Sequence, residues 1–132
     1  MNDCEVKVFN RVYAKAAPIC AKGKFVSTII SEEPTGFPAG SLIEVGNSTV
    51  RRLQSSTPTE NFSRVMYQLD AFATTKSKCR ELYMAVDDSM ISMNFVRISG
   101  QYVGNAGNTK VFRYVARYEA IVDSEGNIYR PS

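Results

Sequence analysis

Two stretches of the chain repeat apolar residues at the spacing of an α-helix. In the first stretch, the residues that share one stripe of such a helix are Val6, Phe9, Val12, Tyr13 and Ala16. Asn2 is placed to cap the start of this helix, with Glu5 at the capping-box position, and Pro18 and Gly23 bracket its end. The pattern predicts an amphipathic helix that packs on a sheet.

The second helical stretch follows Thr74 and Thr75, either of which is a natural N-cap. The apolar stripe of this helix consists of Cys79, Leu82, Tyr83, Val86 and Met90. Because Cys79 lies on this stripe, we expect it to be a small buried side chain and not a nucleophile.

Five other segments have the residue types or the alternation that favour strands, namely residues 24–31, 41–45, 62–73, 95–104 and 110–123. The last segment is the strongest, and the residues that share its apolar face are Phe112, Tyr114, Ala116, Tyr118, Ala120 and Val122. We expect this face to lie in the core. On its other face, charged side chains alternate with Val111, Val115 and Ile121. A half-apolar face of this kind suits contact between subunits better than contact with water.

Three further segments are polar or rich in turn residues. Residues 32–40 contain two Pro and two Gly and are compatible with a hairpin of the strands at 24–31 and 41–45. Half of residues 46–61 are Ser, Thr or Asn, and this segment predicts a long polar loop between strands 2 and 3. This loop is either mobile or an arm that orders on a partner. Residues 124–132 predict a turn and a short C-terminal tail.

The order of these elements predicts a single α+β domain over residues 1–132. We expect a largely antiparallel sheet with the two helices packed on one face. The composition suits such a domain, since 44% of the 132 residues are hydrophobic and 22% are charged. That proportion of apolar residues is enough to build a core.

Net charge, the length of the apolar stretches and the cysteines limit the classes of partner and of cellular environment. The formal net charge is only +3, whereas a dedicated nucleic-acid binder usually has a larger, clustered excess of Lys and Arg. No stretch approaches the uninterrupted apolar length that a membrane-spanning helix needs, so we expect no membrane partner. The three cysteines are far apart and odd in number, which predicts no disulfide framework and fits a reducing cytoplasm.

The residues needed for most catalytic and metal sites are missing. There is no His, no C-x-x-C pair and no phosphate-binding loop. Asp87 and Asp88 are adjacent carboxylates, but neighbouring residues on a helix do not face each other, so we expect a solvated helix face. We therefore predict no catalytic residue, no cofactor and no metal ion, and a protein that is not an enzyme.

Four of the five residues that we consider candidates for contact with partners are arginines. Arg113 and Arg117 alternate with tyrosines on the last strand, but the arginines and the aromatic rings point to opposite faces, unlike those of an RNA-binding sheet. Arg51, Arg52 and Leu53 form an apolar-basic patch in the polar loop. We predict that these five residues contribute to assembly or to the lumen of an assembly.

Residues 62–123 resemble the tail-terminator, or tail-completion, proteins of long-tailed, siphovirus-like bacteriophages. The strand over 67–73 carries Asp70 at the acidic position of the family pattern, and a helix opened by Thr and Lys follows. The next strand begins after the step Asn94-Phe95. The aromatic-Arg-x-x-x-Arg-Tyr core of the last strand is matched by Phe112, Arg113, Arg117 and Tyr118. The leading helix and strands match the α+β layout more loosely.

The resemblance implies a structural protein of the virion, made in the cytoplasm of the host bacterium. Its partners are further copies of itself in a hexameric ring, the tail tube protein and the head-tail connector protein. The ring caps the head-proximal end of the tube, ends tube polymerisation and provides the surface to which the connector attaches. Genome DNA passes through the lumen without sequence-specific binding. No cofactor or catalytic residue is implied.

Three other functions are compatible with the sequence. The first is a head-closure or minor capsid protein of the same particle, and the second is an enzyme of unknown type. The third is a small nucleic-acid-binding domain that uses Arg51, Arg52, Arg113 and Arg117. A stable monomer that shifts DNA in a salt-dependent manner distinguishes this last function from a ring-forming protein.

Overall fold

A computed structural model describes residues 4–28, 36–50, 62–103 and 110–131. The two helices are α1 (Glu5–Ala16) and α2 (Lys76–Ser92). The six strands are β1 (Phe25–Val26), β2 (Ala39–Val50), β3 (Phe62–Ala73), β4 (Val96–Val103), β5 (Phe112–Asp123) and β6 (Ile128–Tyr129).

All six strands belong to one sheet. The strand order is β1-β2-β3-β5-β4, and β6 pairs with the end of β5. Only the β1–β2 pair is parallel. The long strands β3 and β5 pair in register from Phe62 opposite Asp123 to Ala73 opposite Phe112. The fold is therefore α+β with a largely antiparallel sheet, as the sequence predicts.

Both helices pack on the same face of this sheet, which we call the inner face. The side chains of β3 and β5 that are fully buried there include Val65, Leu69, Ala71, Ala116 and Val122. From α2, Cys79, Leu82, Val86 and Met90 are also fully buried, which confirms the predicted stripe. Phe112 is 38% exposed at the start of β5, so its assignment to the core is wrong.

The start and the end of α2 are both set by local interactions. Thr75 is the N-cap, and its side chain accepts a hydrogen bond from the amide of Lys78 at 3.2 Å, as predicted. At the other end, Asn94 adopts φ +71°, and the amide of Phe95 donates to the carbonyl of Met90 at 3.0 Å. This geometry is a Schellman ending, in which Asn is one of the few non-glycine residues tolerated.

The buried stripe of α1 differs from the predicted one. The helix buries Val8, Val12 and Ala16, whereas Val6 is 72% exposed and Tyr13 is 43% exposed. The buried residues Val8, Val12 and Ala16 follow the spacing i, i+4 and i+8, which places them on one side of the helix. This buried side is rotated about the helix axis relative to the predicted stripe. The N-cap is Cys4, whose side chain makes no capping hydrogen bond, and the predicted cap Asn2 lies outside the described residues.

The predicted hairpin of the first two strands is wrong. β1 pairs with β2 in parallel, with Phe25 opposite Gly40. Backbone hydrogen bonds from Gly40 to Lys24 and from Ala21 to Pro38, both 2.9 Å, hold the segment before β1 against the start of β2. β1 therefore lies beside the first residues of β2 and runs in the same direction, whereas the two strands of a hairpin run in opposite directions.

The first part of the loop predicted for residues 46–61 is a strand. Residues 46–50 belong to β2, which pairs with β3 as far as Val50 opposite Phe62. The register shifts between Glu44 and Gly46, where a bulge interrupts the pairing. Backbone pairing with the long strand β3 does not require apolar side chains, and for that reason a polar segment can extend β2. The remainder, with Arg51, Arg52 and Leu53, lies outside the described residues.

The predicted C-terminal tail also contains a strand. Ile128 and Tyr129 pair with the end of β5 through a tight turn. In this turn, the carboxylate of Asp123 accepts hydrogen bonds from the amides of Glu125 and Asn127, each 2.9 Å, and from the hydroxyl of Tyr129 at 2.9 Å. Gly126 supplies the positive φ of 81° that the turn requires.

Candidate assembly surfaces

The face of the sheet opposite the helices, which we call the outer face, is a mixture of apolar and polar side chains. The strand register places these β3 and β5 residues on it: Arg64, Met66, Gln68, Asp70, Phe72, Arg113, Val115, Arg117, Glu119 and Ile121. Met66, Val115 and Ile121 are only half-buried, and no helix that the structure describes packs on them. The outer face thus has the half-apolar character that the sequence predicts for a contact surface.

One end of the outer face is covered by a small apolar cluster. Ala39, Phe72 and Val111 are buried there, with the half-buried Phe37 beside them. The guanidinium of Arg113 lies over the ring of Phe72 at 5.6 Å and forms an ion pair with the buried carboxylate of Asp70 at 3.5 Å. Arg113 therefore stabilises its own subunit, and only about a third of its side chain is exposed.

Arg117 is the outer-face arginine that remains available. Its side chain is exposed and donates a hydrogen bond from Nε to Oε1 of Gln68 at 3.1 Å. The third cation of this face, Arg64, forms an ion pair with Glu119. Among the described residues, Arg117 has no carboxylate within ion-pair distance, so it leaves a net positive charge in the middle of the face.

The strand β4 forms one edge of the sheet. Seven of its eight residues are exposed, including Val96, Ile98 and Tyr102. One side of β4 pairs with β5, and no strand in the described part of the chain pairs with the other side. A register shift between Arg97 and Ser99 interrupts the pairing. Edge strands of this length offer a row of backbone donors and acceptors to another strand.

The opposite edge of the sheet is formed by β2. The short strand β1 pairs with only two of its residues, Gly40 and Ser41. No other strand of the described ranges pairs with β2 on that side. Because the strands from β2 to β4 alternate in direction, β2 and β4 run in opposite directions at the two edges.

Asp87 is not on a solvated face, contrary to the prediction. It is only 8% exposed and accepts hydrogen bonds from the hydroxyl of Tyr118 at 2.8 Å and from Arg97 at 3.2 Å. Burial, reinforced by the hydrogen bond to Asp87, raises the pKa of Tyr118. The arrangement joins α2 to β4 and β5. Its neighbour Asp88 is exposed, as predicted.

Three tyrosines stack between α2 and the edge of the sheet. The rings of Tyr83 and Tyr114 lie 3.8 Å apart, and that of Tyr102 meets Tyr114 edge-on at 5.3 Å. A Cβ at Gly100 would lie 2.2 Å from the hydroxyl of Tyr114, so only glycine fits there. The tyrosines of β5 therefore pack inside the subunit while Arg113 and Arg117 occupy the outer face, and the predicted separation is confirmed.

The described residues hold no cluster of three or more His, Cys, Asp or Glu side chains that could bind a metal ion. Burial raises the pKa of the Cys79 thiol to about 11 and that of Cys20 to about 12, so neither is a ready thiolate at neutral pH. In the same parts of the chain, no helix combines the length and the apolar character needed to cross a membrane.

Sequence comparisons identify no relative. No protein-family model matches the chain, and no curated protein matches its sequence.

Proposed function

We propose that this protein is a structural subunit that assembles into a closed ring by pairing the β4 edge of one copy with the β2 edge of the next. The single observation that carries the proposal is that the two sides of the sheet are formed by strands of opposite direction: β4 on one side, and on the other β2, with which the described strand β1 pairs only at Gly40 and Ser41. The resemblance to phage tail terminators supplies the location: the head-proximal end of the tail tube, where the ring ends tube growth and receives the connector.

The strand directions support a ring in preference to a dimer. A rotation about an axis along the strands preserves the direction of every strand, so β4 of one copy lies antiparallel to β2 of the next copy. Such a head-to-tail contact closes into a ring when the rotation divides a full turn evenly. Pairing two β4 edges instead gives a two-fold dimer that leaves both β2 edges open.

The dimensions of the sheet are compatible with passage of DNA. Four long strands at about 4.8 Å spacing contribute about 19 Å of circumference for each copy. Six copies would give about 115 Å and a backbone diameter of about 37 Å, before strand tilt widens it. In this ring the helices lie on the outside, so the sheet face opposite the helices, the outer face, lines the lumen. Arg117 on that face attracts DNA phosphates without sequence-specific contacts to the bases.

The nucleic-acid-binding alternative has weaker support. Arg113 is engaged by Asp70 and Phe72, and Arg64 by Glu119. That leaves Arg117 as the one arginine of the described outer face whose charge is not balanced, too few for independent DNA binding.

Substitution of the β4 edge tests the ring. The variant Val96→Lys/Ile98→Lys adds two charges at exposed positions, which is how natural proteins protect sheet edges. We expect the wild-type protein to form rings, alone or on the ends of purified tail tubes, in native mass spectrometry and negative-stain images. The edge variant should keep its melting temperature but lose the rings.

A matched control is Val6→Lys, which adds a charge at an exposed position of α1 and not on an edge strand. It should assemble like the wild type. Wild-type protein that stays monomeric even with tube ends, or an edge variant that still forms rings, contradicts the proposal.

A further inference from the structure

A second surface lies on the outward side of the helix pair. α1 and α2 pack side by side and leave a groove of about 430 Å³ between them. The residues that line this groove are Arg11, Lys15, Ala85, Asp88, Ser89 and Ser92. We call this surface the helix groove.

Charge is segregated between the two sides of the helix groove. On α1, the exposed residues Lys7, Arg11 and Lys15 follow one another at intervals of four, which makes a row of positive charge. Like charges at this spacing destabilise a helix, so the row does not contribute to the stability of α1. On the α2 side, the exposed carboxylate that lines the groove is Asp88.

The charges that line the helix groove are not used within the subunit. Lys7, at the end of the row, donates to the carbonyl of Gly126 at 3.3 Å. By contrast, Arg11, Lys15 and Asp88 form no ion pair with any described residue, although all three border the same groove. Two cations and one carboxylate are therefore available to a partner.

Apolar side chains flank the unpaired carboxylate. Met84 and Ile91 lie at i−4 and i+3 from Asp88, on the same exposed stripe of α2, and are 41% and 43% exposed. An apolar stripe with a charge at its centre is typical of a protein contact and not of a phosphate site. A nucleic acid would meet Asp88 unfavourably, and so would a purely acidic peptide.

We propose that the helix groove binds the helix groove of a second copy across a two-fold axis. A two-fold contact requires a self-complementary surface, in which residue i meets residue j of the partner and j meets i. The helix groove has that property, since α1 of one copy offers Arg11 and Lys15 to Asp88 of the other, and the reverse. Met84 and Ile91, which flank Asp88 on α2, are then covered by α1 of the other copy.

The size of the surface sets the expected strength. Two helices of 12 and 17 residues present a footprint of about 435 Å² on each copy, taking about 1.5 Å of rise per residue and about 10 Å of width for each helix. The total lies at the low end for specific complexes, so the contact is reversible and depends on concentration. Because it relies on exposed charges, it weakens with added salt.

This contact is independent of the sheet edges and goes beyond the proposed ring. In the ring, the helix groove faces away from the neighbouring copies and would join one ring to another. The experiment therefore uses the Val96→Lys/Ile98→Lys variant as its background, because the charged β4 edge removes the ring contact. A failure of the ring contact between sheet edges can then be distinguished from a failure of the helix-groove contact.

Sedimentation velocity across a range of protein concentrations and salt tests the proposal. The edge variant should form dimers that dissociate as salt is raised. Adding Asp88→Lys, or adding Arg11→Glu and Lys15→Glu together, should weaken the dimer at least tenfold. Combining all three charge reversals in one chain should bring the dimer back, because each copy again offers opposite charges. Lys22→Glu, an exposed reversal outside α1, is the control and should not change association.

Three outcomes overturn the proposal. They are an edge variant that remains monomeric at the highest concentration reached, single-sided reversals that dimerise like their parent, and a combined reversal that fails to restore the dimer. Circular dichroism melts of each variant show that it is folded before its association is compared.

Discussion

Asp87 and Asp88 have the same side chain and adjacent positions, yet their surroundings are opposite. Asp87 is buried and accepts hydrogen bonds from Tyr118 and Arg97, whereas Asp88 points outward into the helix groove. The difference arises from the 100° turn between neighbouring residues on α2, which directs one toward the sheet and the other toward solvent.

At the residue scale, Asp87→Ala should destabilise the protein by about 1.5–3 kcal/mol, the range for losing a hydrogen bond to a charged group and leaving its buried partner unpaired. The hydroxyl of Tyr118 is the group left without an acceptor. Urea unfolding followed by circular dichroism measures the change. Asp88→Ala is the matched control and should lie within about 0.5 kcal/mol of the wild type. Equal effects of the two substitutions would show that Asp87 has no special role.

At the element scale, α2 is held mainly by its inner stripe. Leu82 is fully buried between the helix and the sheet, while Met84, two residues later, is 41% exposed. Leu82→Ala should cost about 2–5 kcal/mol because it removes buried atoms and leaves a cavity. Met84→Ala should cost about 0.5 kcal/mol or less, since it leaves no cavity. Melting temperatures of the two variants check the difference, and a similar loss for both would mean that α2 is not placed as described.

The strands β2 and β4 show a second property of elements. Each pairs along its length with one long neighbour, β2 with β3 and β4 with β5, and a register shift interrupts each of these ladders. Bulges on edge strands limit uncontrolled pairing with other chains. Controlled association through these edges therefore requires a partner strand whose own register fits the bulges, which is what an identical subunit supplies in the proposed ring.

At the scale of the whole molecule, stability should depend on pH in the alkaline range. Burial raises the pKa of Tyr67 and of Tyr118 above the ordinary value near 10. A raised folded-state pKa means that the phenols contribute their full stability below pH 10. That contribution is lost as pH rises further, since the unfolded state then releases the protons more readily. We expect cooperative unfolding above pH 10, with tyrosinate absorbance appearing in the same transition.

Tyr67→Phe tests the cause of this transition. The hydroxyl of Tyr67 has one weak partner, the sulfur of Cys4 at 3.6 Å, so its removal costs little at neutral pH. The variant should unfold at a higher pH than the wild type. An unchanged or lower alkaline midpoint would mean that Tyr67 does not limit stability there. Tyr13→Phe, at a half-exposed position, is the control.

The sequence alone determined the elements whose patterns involve only neighbouring residues and extend over a whole helix or strand. The stripe and the Thr75 cap of α2 need only residues within a few turns of one another, and the alternation of β3 and of most of β5 extends over a whole strand. The separation of Arg113 and Arg117 from the tyrosines of β5 follows from the two-residue period of a strand. The separation of the two faces, and with it the half-apolar outer face, was therefore predictable.

Tertiary structure decided everything that depends on a distant partner. β1 is parallel to β2, residues 46–50 extend β2, and β6 joins the sheet, because strands already in place offered them backbone partners. Asp87 is buried because Tyr118 and Arg97, on other strands, supply hydrogen bonds that no local pattern announces. Local periodicity specifies which face of an element is apolar, whereas pairing energies between remote segments decide what each element meets.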